Sequence, residues 1–361
     1  MAVSPTPQDQ TTLESNVPQA MHGMTLRDYL TRRFPYESRD SWSRLINTGK
    51  LLVNGQPARS HLRLRKGDRV SYVTILAEPE VPTTIPILYE TDDFLVVDKP
   101  ALLPCHADGN FIRNTLIWLL QERLRQSGFQ GKLHLMHRLD REASGVMLVC
   151  KDSRAIPAFA RQFEQGEVRK EYLALVRGRI EQDRFAVTKA IGRDTQSAIT
   201  IKRAAFPSST PATQEAHTEF QVVDRANDVT LVQAMPHTGR THQIRVHLAS
   251  QGYPLLGDHL YGTSDAEYLA WLKLIKQDRQ AASRVTLAEP RLMLHACRLS
   301  LRHHLTGAMI EFQAALPGDM AAVWARHGGI HKDNTTAIEA KHAAAPNASN
   351  PRPSQSNNTP V

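Results

Sequence analysis

Apolar and polar positions alternate along this chain in two different periods, and each period predicts its own type of element. Apolar residues spaced three and four apart indicate helices that bury one face. The predicted helices begin at the N-cap candidates Thr25 and Ser38 and, further on, cover residues 115–124, 155–165, 243–251 and 266–277. Short apolar or alternating runs between turn residues indicate strands. The predicted strands cover residues 51–53, 70–73, 87–90, 94–98, 146–149, 172–176, 219–223, 229–232 and 309–312.

These strands occur in hairpin-like clusters, which favour an α+β fold with a mixed, largely antiparallel sheet over a doubly wound fold.

Composition divides the chain into five predicted segments. Residues 1–22 are polar and non-periodic and are predicted to be disordered. Residues 23–77 form a small αα-turn-β domain, and the proline-rich residues 78–86 form a linker. Residues 87–328 form the larger domain, and residues 329–361, rich in Ala, Asn, Pro, Ser and Thr, form a disordered tail.

The positive charge of the chain is concentrated in the small domain. Residues 24–76 contain eleven Lys and Arg against four acidic residues, so this segment carries +7 of the net +8. A compact basic module of this kind is typical of nucleic-acid binding. A small basic domain that binds nothing is the alternative.

The cysteines and the hydropathy pattern indicate the compartment. Cys105, Cys150 and Cys297 are odd in number and widely spaced, which matches neither a disulfide framework nor a zinc ligand set. The sequence has no run of 18 apolar residues and no evident secretory signal, so we expect neither a membrane span nor secretion. The expected location is the reducing cytoplasm.

The segment HRLDREASG, residues 137–145, is the strongest candidate for chemistry. It places Asp140 between Arg138 and Arg141, just ahead of a Ser-Gly turn and an apolar run. Asp140 should be ionised at neutral pH, because nearby arginines favour the charged form of a carboxylate. A well-held carboxylate can act as a nucleophile or stabilise a positively charged sugar. From the residue types alone, however, a structural Arg–Asp pair in a loop is the favoured interpretation.

The longer segment HRLDREASGVMLVCK resembles the catalytic motif of the RluA-type pseudouridine synthases, in which HRLD is followed two residues later by Ser or Thr and then Ser-Gly. Ala143 stands where that family commonly has Thr, and Lys151 closes the apolar run as in the family. The resemblance implies that Asp140 is the nucleophile that detaches uracil from its ribose and lets it re-attach through carbon. It also implies that Arg138 fills the space left by the flipped base.

Other segments resemble the same family in the same order. ILYETDDFLVVDKP is similar to the opening of the catalytic domain, and Val168 to Tyr172 is similar to its Lys-x-Tyr segment. The resemblance implies that Tyr172 stacks on the uracil, whereas by itself Tyr172 would be a core residue. TGRTHQIRVHLASQGYPLLGDHLYG, residues 238–262, resembles the motif that positions the substrate. It implies that Arg245, rather than Arg240, pairs with the nucleophile.

The basic module also has a resemblance. SRDSWSRLINTGKLLVNG and KGDRV are similar to the S-four type RNA-binding domain of a ribosomal protein over residues 24–76. The implied partner is therefore RNA. The RNA-binding candidates in this module are Arg27, Arg39, Arg44, Lys50 and Asn54.

No metal or small-molecule cofactor is expected. His242 and His247 are five residues apart, which puts them about 140° apart on a helix, so they do not converge on one ion. The chain contains neither a P-loop nor a dinucleotide-binding fingerprint. Isomerisation of a uridine requires no cofactor.

The substrate RNA and two rival functions stay open. The S-four-like module slightly favours ribosomal RNA, whereas FPYESRDSW and ADGNFIRNTL resemble relatives that modify transfer RNA. The main rival is a non-catalytic RNA-binding ribosome-assembly factor. The second is a glycoside or nucleoside hydrolase, for which the only nearby second acid is Glu142. The oligomeric state is open as well.

Overall fold

The chain divides into two units. The computed structural model describes residues 10–34, 38–75, 78–108, 111–277, 289 and 291–329. The first unit extends to Gln165 and includes the turn His304–Gly307. The second unit begins at Gly166 and contains the remaining described residues.

The first unit opens with the basic module. Its elements are strands β1 (Gln10–Asn16), β2 (Leu51–Val53), β3 (Gln56–Pro57) and β4 (Arg69–Ile75) and helices α1 (Leu26–Arg33) and α2 (Arg39–Asn47). The strands form one sheet in the order β1-β4-β2-β3. Thr25 and Ser38 cap the two helices as predicted, because their hydroxyls accept the amides of Asp28 and Ser41 at 3.2 Å. Trp42 fills the core between helices and sheet.

The structure corrects the prediction of disorder for residues 10–22. Strand β1 pairs antiparallel with β4 over its whole length, from Gln10 opposite Ile75 to Asn16 opposite Arg69. Val17 follows it and is 2% exposed. The composition of this segment was misleading because backbone pairing holds β1 to β4, and Leu13 and Val17 alone pack it against the core of the module. Residues 1–9 lie outside the described residues.

The rest of the first unit surrounds one buried strand. Its elements are β5 (Ile87–Glu90), β6 (Phe94–Lys99), α3 (Leu116–Gln126), β7 (His134–Leu135), β8 (Ser144–Cys150) and α4 (Ile156–Glu164). Every residue of β8 is buried. Both β6 and β7 pair antiparallel with β8, and β5 pairs with β6. A strand that is covered on both faces has apolar residues at consecutive positions, and residues 146–150 show this pattern.

The second unit is built on antiparallel strands. They are β9 (Arg169–Arg177), β10 (Arg184–Val187), β11 (Ala190–Arg193), β12 (Arg203–Phe206), β13 (Thr213–Gln214), β14 (Thr218–Ala226), β15 (Val229–Pro236), β16 (Leu294–Arg302) and β17 (Met309–Gln313). Its helices are α5 (Gln243–Ala249), α6 (Asp265–Gln277) and α7 (Gly318–Arg326). The order β10-β14-β15-β9-β16 makes the main sheet of this unit, with β17 paired to β16. Strands β12-β11-β13 make a separate small sheet.

These elements confirm the predicted α+β class. The predicted helices at 115–124, 155–165, 243–251 and 266–277 correspond to α3, α4, α5 and α6. The sequence interpretation missed β1 and the strands of the small sheet, whose segments are short or polar. It also missed α7, although its buried residues Met320, Val323 and Trp324 are spaced as in a helix. The domain boundaries stay predictions, and the tail beyond residue 329 lies outside the described residues.

The proline-rich segment 78–86 contains no helix or strand, yet it is tied to the loop before α3. The carboxylate of Glu78 accepts the backbone amides of Ile112, Arg113 and Asn114 at 2.7–3.0 Å. The predicted linker is therefore fastened at its start. In the described part of the chain, no helix is long and apolar enough to span a bilayer.

The second unit should lose stability in mild acid because of His295. Its side chain is fully buried and its Nε2–H donates to the carbonyl of Ala314, and burial lowers its pKa to about 4 from 6.5. The unfolded chain therefore takes up this proton at a higher pH than the folded chain. Stability present above pH 6.5 should be lost as the pH falls towards 4, by about 3 kcal/mol.

Urea unfolding at pH 7 and pH 5, followed by the fluorescence of the protein, measures this effect. His295→Gln should lose clearly less stability between the two pH values than the wild type. His61→Gln, a change at an exposed histidine, should behave like the wild type. An equal acid loss in wild type and His295→Gln would show that His295 is not responsible.

Candidate active site

Asp140 lies on an irregular loop that leads directly into the buried strand β8. The amide of Ala143 donates to the carbonyl of Asp140 at 3.1 Å and closes a turn there. Asp140 is half-buried, while Ala143 and Ser144 behind it are buried. The carboxylate is therefore carried by a short turn on a rigid strand, which is a favourable way to hold a reactive group.

Two buried side chains hold the backbone on either side of Asp140. The ammonium of Lys99, at the end of β6, is 0% exposed and donates to the carbonyls of Pro100 (2.9 Å), Leu103 (2.8 Å) and Arg141 (3.2 Å). The thiol of Cys105 bonds to the carbonyl and amide of Leu139 at 3.3 and 3.4 Å. Burial raises the pKa of Cys105, so the thiol keeps its proton. Sequence reasoning missed both roles.

The charged neighbours of Asp140 in the chain differ in their surroundings. Arg138 is exposed. Arg141 donates to Glu142 Oε1 at 2.6 Å through its terminal nitrogen and lies over the ring of Phe111, with 5.6 Å from Cζ to the centroid. Glu142 therefore forms an ion pair with Arg141. This contact weakens the case for Glu142 as the second acid of a hydrolase.

Tyr172 lies on β9 in the interior of the sheet of the second unit. It pairs with Ala234 of β15 on one side and with Ala296 of β16 on the other. The residue is 9% exposed. Both of its neighbours in register are small residues.

Arg245 lies on helix α5 and forms a buried ion pair. Its Nε donates to Asp258 Oδ2 at 2.8 Å and its terminal nitrogen donates to Oδ1 at 2.9 Å. The side chains are 9% and 0% exposed. The guanidinium also lies 5.1 Å from the ring centroid of Tyr261. A bidentate pair of this kind fixes the plane of the guanidinium.

The turn that carries Asp258 explains part of the motif at residues 238–262. Asp258 Oδ1 accepts the amides of Leu260 and Tyr261 at 3.0 and 3.1 Å. Gly257 has a φ of +72°, and a Cβ there would lie 1.7 Å from the carbonyl oxygen of Arg291. Only glycine fits at that position. The sequence interpretation named Arg245 but missed Asp258, whose glycine neighbour was an available signal.

The segment before α5 is organised by Gln243 and Lys170. Gln243 Oε1 accepts the hydroxyl of Thr238 at 2.7 Å and the amide of Arg240 at 3.0 Å. Lys170 Nζ donates to the carbonyl of Thr238 at 3.5 Å. Burial, together with the charge of Arg240, lowers the pKa of Lys170. The two predicted motifs of this unit, around residues 170 and 240, are therefore in contact.

A second basic surface, which the sequence did not reveal, lies beside this segment. A cavity of about 490 Å³ is lined by Arg193, Arg203 and Arg240. Arg193 and Arg203 stand directly opposite each other on β11 and β12, an arrangement in which like charges repel. Among the described residues, no carboxylate forms an ion pair with either of them. We call these three residues the arginine hollow.

The RNA-binding candidates of the basic module are largely exposed. Arg39 and Arg44 lie on α2, where Arg39 approaches Asp28 at 3.5 Å and Arg44 donates to the Ser41 hydroxyl. Lys50 is exposed and Arg27 is half-buried.

Asn54 differs from the other candidates of the module. Its amide group bonds to the Asp68 side chain at 3.0 Å and to the Arg69 amide at 2.9 Å, and its φ is 51°. These contacts suit a turn-forming residue. Its predicted contact with RNA stays a prediction.

The two histidines that could suggest a metal have separate partners. His242 Nδ1 bonds to the Tyr261 hydroxyl at 2.8 Å. His247 is fully buried, donates from Nε2 to the carbonyl of Lys189 and accepts the hydroxyl of Thr218 at Nδ1. Burial lowers the pKa of His247. Both rings are therefore engaged in the internal structure.

The catalytic candidates belong to different units. Asp140 lies in the first unit, and Tyr172 and Arg245 lie in the second. The pairing of Arg245 with Asp140 stays a prediction.

Comparison with known proteins identifies the class of enzyme. The profile of the RNA pseudouridylate synthase family matches residues 93–250. The uncharacterized RNA pseudouridine synthase YlyB of Bacillus subtilis is 33% identical over 305 residues, which cover 80% of this chain and 91% of that protein. Ribosomal large subunit pseudouridine synthase D of Nitrosomonas europaea is 30% identical over 321 residues, 88% of each chain. The solved structure of human RNA pseudouridylate synthase domain containing 1 matches with 25% identity and a TM-score of 0.55, over 75% of this chain and 100% of that one.

The chain belongs to the RNA pseudouridine synthase family. It is an isomerase that acts on RNA, which confirms the family that the motifs indicated.

The Arg245–Asp258 pair provides a test that separates folding from activity. Asp258→Ala leaves a buried guanidinium without its carboxylate and should lower the free energy of unfolding by about 3–5 kcal/mol. The double variant Arg245→Met/Asp258→Leu removes both charges and should regain part of that stability, but not all of it, because the amides of Leu260 and Tyr261 lose their acceptor. Its turnover should be low, because Arg245 is lost as well. Chemical denaturation and a turnover assay measure the two quantities.

The exposed pair Arg154–Asp152 is the matched control, and Asp152→Ala should have a much smaller effect on stability. Equal losses for Asp258→Ala and Asp152→Ala would contradict the structural importance of the buried pair.

Proposed function

We propose that this enzyme isomerises specific uridines of ribosomal RNA, with Asp140 as the nucleophile. The observation that carries the proposal is the anchoring of the Asp140 turn by buried Lys99 and Cys105 in the family's catalytic motif. The name of the Nitrosomonas europaea relative supports the large ribosomal subunit as the source of the RNA. Transfer RNA is the alternative substrate. We place the protein in the cytoplasm, since its three buried, free cysteines suit a reducing compartment.

The proposed reaction rests on the roles that the family resemblance implies for these side chains and on the chemistry of uridine. The target nucleotide leaves its stack, at a cost of a few kcal/mol, with Arg138 filling the space and Tyr172 stacking on the base. Asp140 attacks the anomeric carbon of the ribose, or assists a glycal route, and the bond from that carbon to the uracil nitrogen breaks. The uracil keeps the bonding electron pair and rotates. Its carbon 5 then bonds to the anomeric carbon and Asp140 is released. Carbon 5 loses its proton and the freed ring nitrogen takes one up, so the product is an isomer of the substrate.

The proposed role of Arg245 is to keep the Asp140 carboxylate ionised and oriented. Arg245 has a second anionic partner in Asp258, so its guanidinium is held by a carboxylate whatever the state of the substrate. This arrangement would supply a preorganised positive charge rather than one that must be ordered during the reaction.

The role of Asp140 can be tested with RNA that carries tritium at uracil carbon 5. Asp140→Ala should lower tritium release by about four orders of magnitude or more, as expected for loss of a nucleophile, while RNA affinity changes little. Ribosomal and transfer RNA are assayed separately, so the same experiment identifies the substrate class.

Glu142→Gln is the matched control, because it removes a neighbouring carboxylate that pairs with Arg141. It should retain most of the turnover. Near wild-type turnover of Asp140→Ala would remove Asp140 from the nucleophile role. Tight binding of both RNAs without any tritium release by the wild type would favour the RNA-binding assembly factor, and free uracil as the product would favour a hydrolase.

Two basic surfaces are proposed to bind the RNA backbone. The first is the module with Arg39, Arg44 and Lys50, and the second is the arginine hollow. Cross-strand arginines without a carboxylate partner are costly by themselves, and phosphate oxygens between them would relieve the repulsion. Binding of this kind depends on salt because each neutralised phosphate releases counterions.

The slope of log K against log salt measures the number of phosphates contacted. The triple variant Arg39→Ala/Arg44→Ala/Lys50→Ala should reduce the slope by about 2–3, and Arg193→Ala/Arg203→Ala should reduce it by about 1–2. Arg154→Ala removes an exposed arginine outside both surfaces and should leave the slope unchanged. An unchanged slope in the triple variant would exclude the module from RNA binding.

A further inference from the structure

The adjacent ends of β14 and β15 bring three metal-binding side chains together. His217 immediately precedes β14, Glu219 lies in it, and His237 immediately follows β15. The amide of His237 donates to the carbonyl of His217 at 3.0 Å, so the two histidines are cross-strand neighbours. Glu219 is two residues after His217 and therefore shares its face of the strand. The ligand atoms of all three lie within 4.8 Å of one another.

The spacing of these atoms is close to that of a metal's ligands. Glu219 Oε1 lies 3.1 Å from His237 Nε2 and 3.6 Å from His217 Nε2. In a tetrahedral zinc site with bonds of about 2.0–2.1 Å, neighbouring ligand atoms are about 3.3 Å apart. An ion would therefore require only small side-chain rotations at residues that are exposed or half-buried.

The ring of His217 is already oriented for this role. Its Nδ1 lies 2.8 Å from the hydroxyl of Thr188. With the proton on Nδ1, that contact is a hydrogen bond to the hydroxyl and Nε2 presents its lone pair towards Glu219. Metal-bound histidines characteristically donate their other N–H in this way, which fixes the tautomer and the ring orientation.

The donor set determines which ions would bind. Two imidazoles and one carboxylate form the ligand set of many zinc sites that keep a fourth position open. Mg²⁺ and Ca²⁺ prefer oxygen ligands, and the trio offers only one carboxylate. We propose that His217, Glu219 and His237 bind Zn²⁺ or a similar divalent transition-metal ion.

Open space adjoins the trio at His217. A cavity of about 390 Å³ lies beside the trio and is lined by Thr188, His217 and Thr238, among others. Thr238 begins the motif around Arg240 and accepts the amide of His217 at its hydroxyl, at 3.2 Å. A bound ion would therefore fasten the ends of β14 and β15 next to that motif. The site shares no residue with Asp140, Tyr172 or Arg245 and does not depend on the proposed RNA chemistry.

Titration of the full-length, tag-free protein tests the proposal, after treatment with a chelator. Calorimetry with Zn²⁺ and absorption spectroscopy with Co²⁺ should reveal one site, with a micromolar or tighter dissociation constant for Zn²⁺. His237→Asn and Glu219→Gln should each weaken that site at least tenfold. His61→Asn, which removes an exposed histidine elsewhere, should not change it. Mg²⁺ at the same concentrations should give no heat at this site.

Other results would overturn the proposal. If the wild type binds Zn²⁺ no more tightly than His237→Asn or Glu219→Gln does, the trio is an ordinary group of surface ion pairs. The variants should keep their far-ultraviolet circular dichroism and their turnover on RNA without added metal. That control separates loss of the ion from misfolding, and it also keeps this test distinct from the test of Asp140.

Discussion

A charge removed from water must be compensated, and this requirement fixes the backbone of the motifs in both units. In the first unit, the ammonium of Lys99 is fully buried and satisfied by three carbonyls, one of which belongs to the residue after Asp140. In the second unit, Arg245 is buried against Asp258. Neither cation can move without exposing an uncompensated charge to the protein interior, which is strongly unfavourable. The Asp140 loop and the helix that carries Arg245 are therefore held by contacts on the side away from solvent.

The sequence was most informative where a local pattern determines the structure. Thr25 and Ser38 cap helices because a hydroxyl at that position accepts an otherwise unpaired amide, so the contact depends only on residues three apart. The apolar run at residues 146–149 became a strand buried along its whole length. The motif resemblance identified the family, and the catalytic candidates followed from it rather than from periodicity.

The features that could not be predicted depend on residues distant in sequence. Strand β1 is held by pairing with β4 about 60 residues later, and its polar side chains give no sign of it. The trio of His217, Glu219 and His237 could not be predicted either, because His217 and His237 become neighbours only through the register of β14 and β15. Lys99 and Asp258 were missed for a related reason. A charged residue in a sequence is expected at the surface, and burial with three carbonyls or one guanidinium is visible only in the fold.

Exposed and buried charges have different uses in this protein. The exposed cations of the basic module and the partly exposed cations that line the arginine hollow lie where an external polyanion can reach them. Lys99, by contrast, donates hydrogen bonds to backbone carbonyls of the chain itself. If these cations contact RNA as proposed, loss of one should change mainly the affinity for RNA and its salt dependence, because each would neutralise a phosphate independently. Loss of a buried cation displaces a loop, and a displacement of about 1 Å is enough to impair a reaction that depends on alignment. The position of a charge relative to solvent therefore separates the residues proposed to bind RNA from the residues that hold the backbone of the motifs.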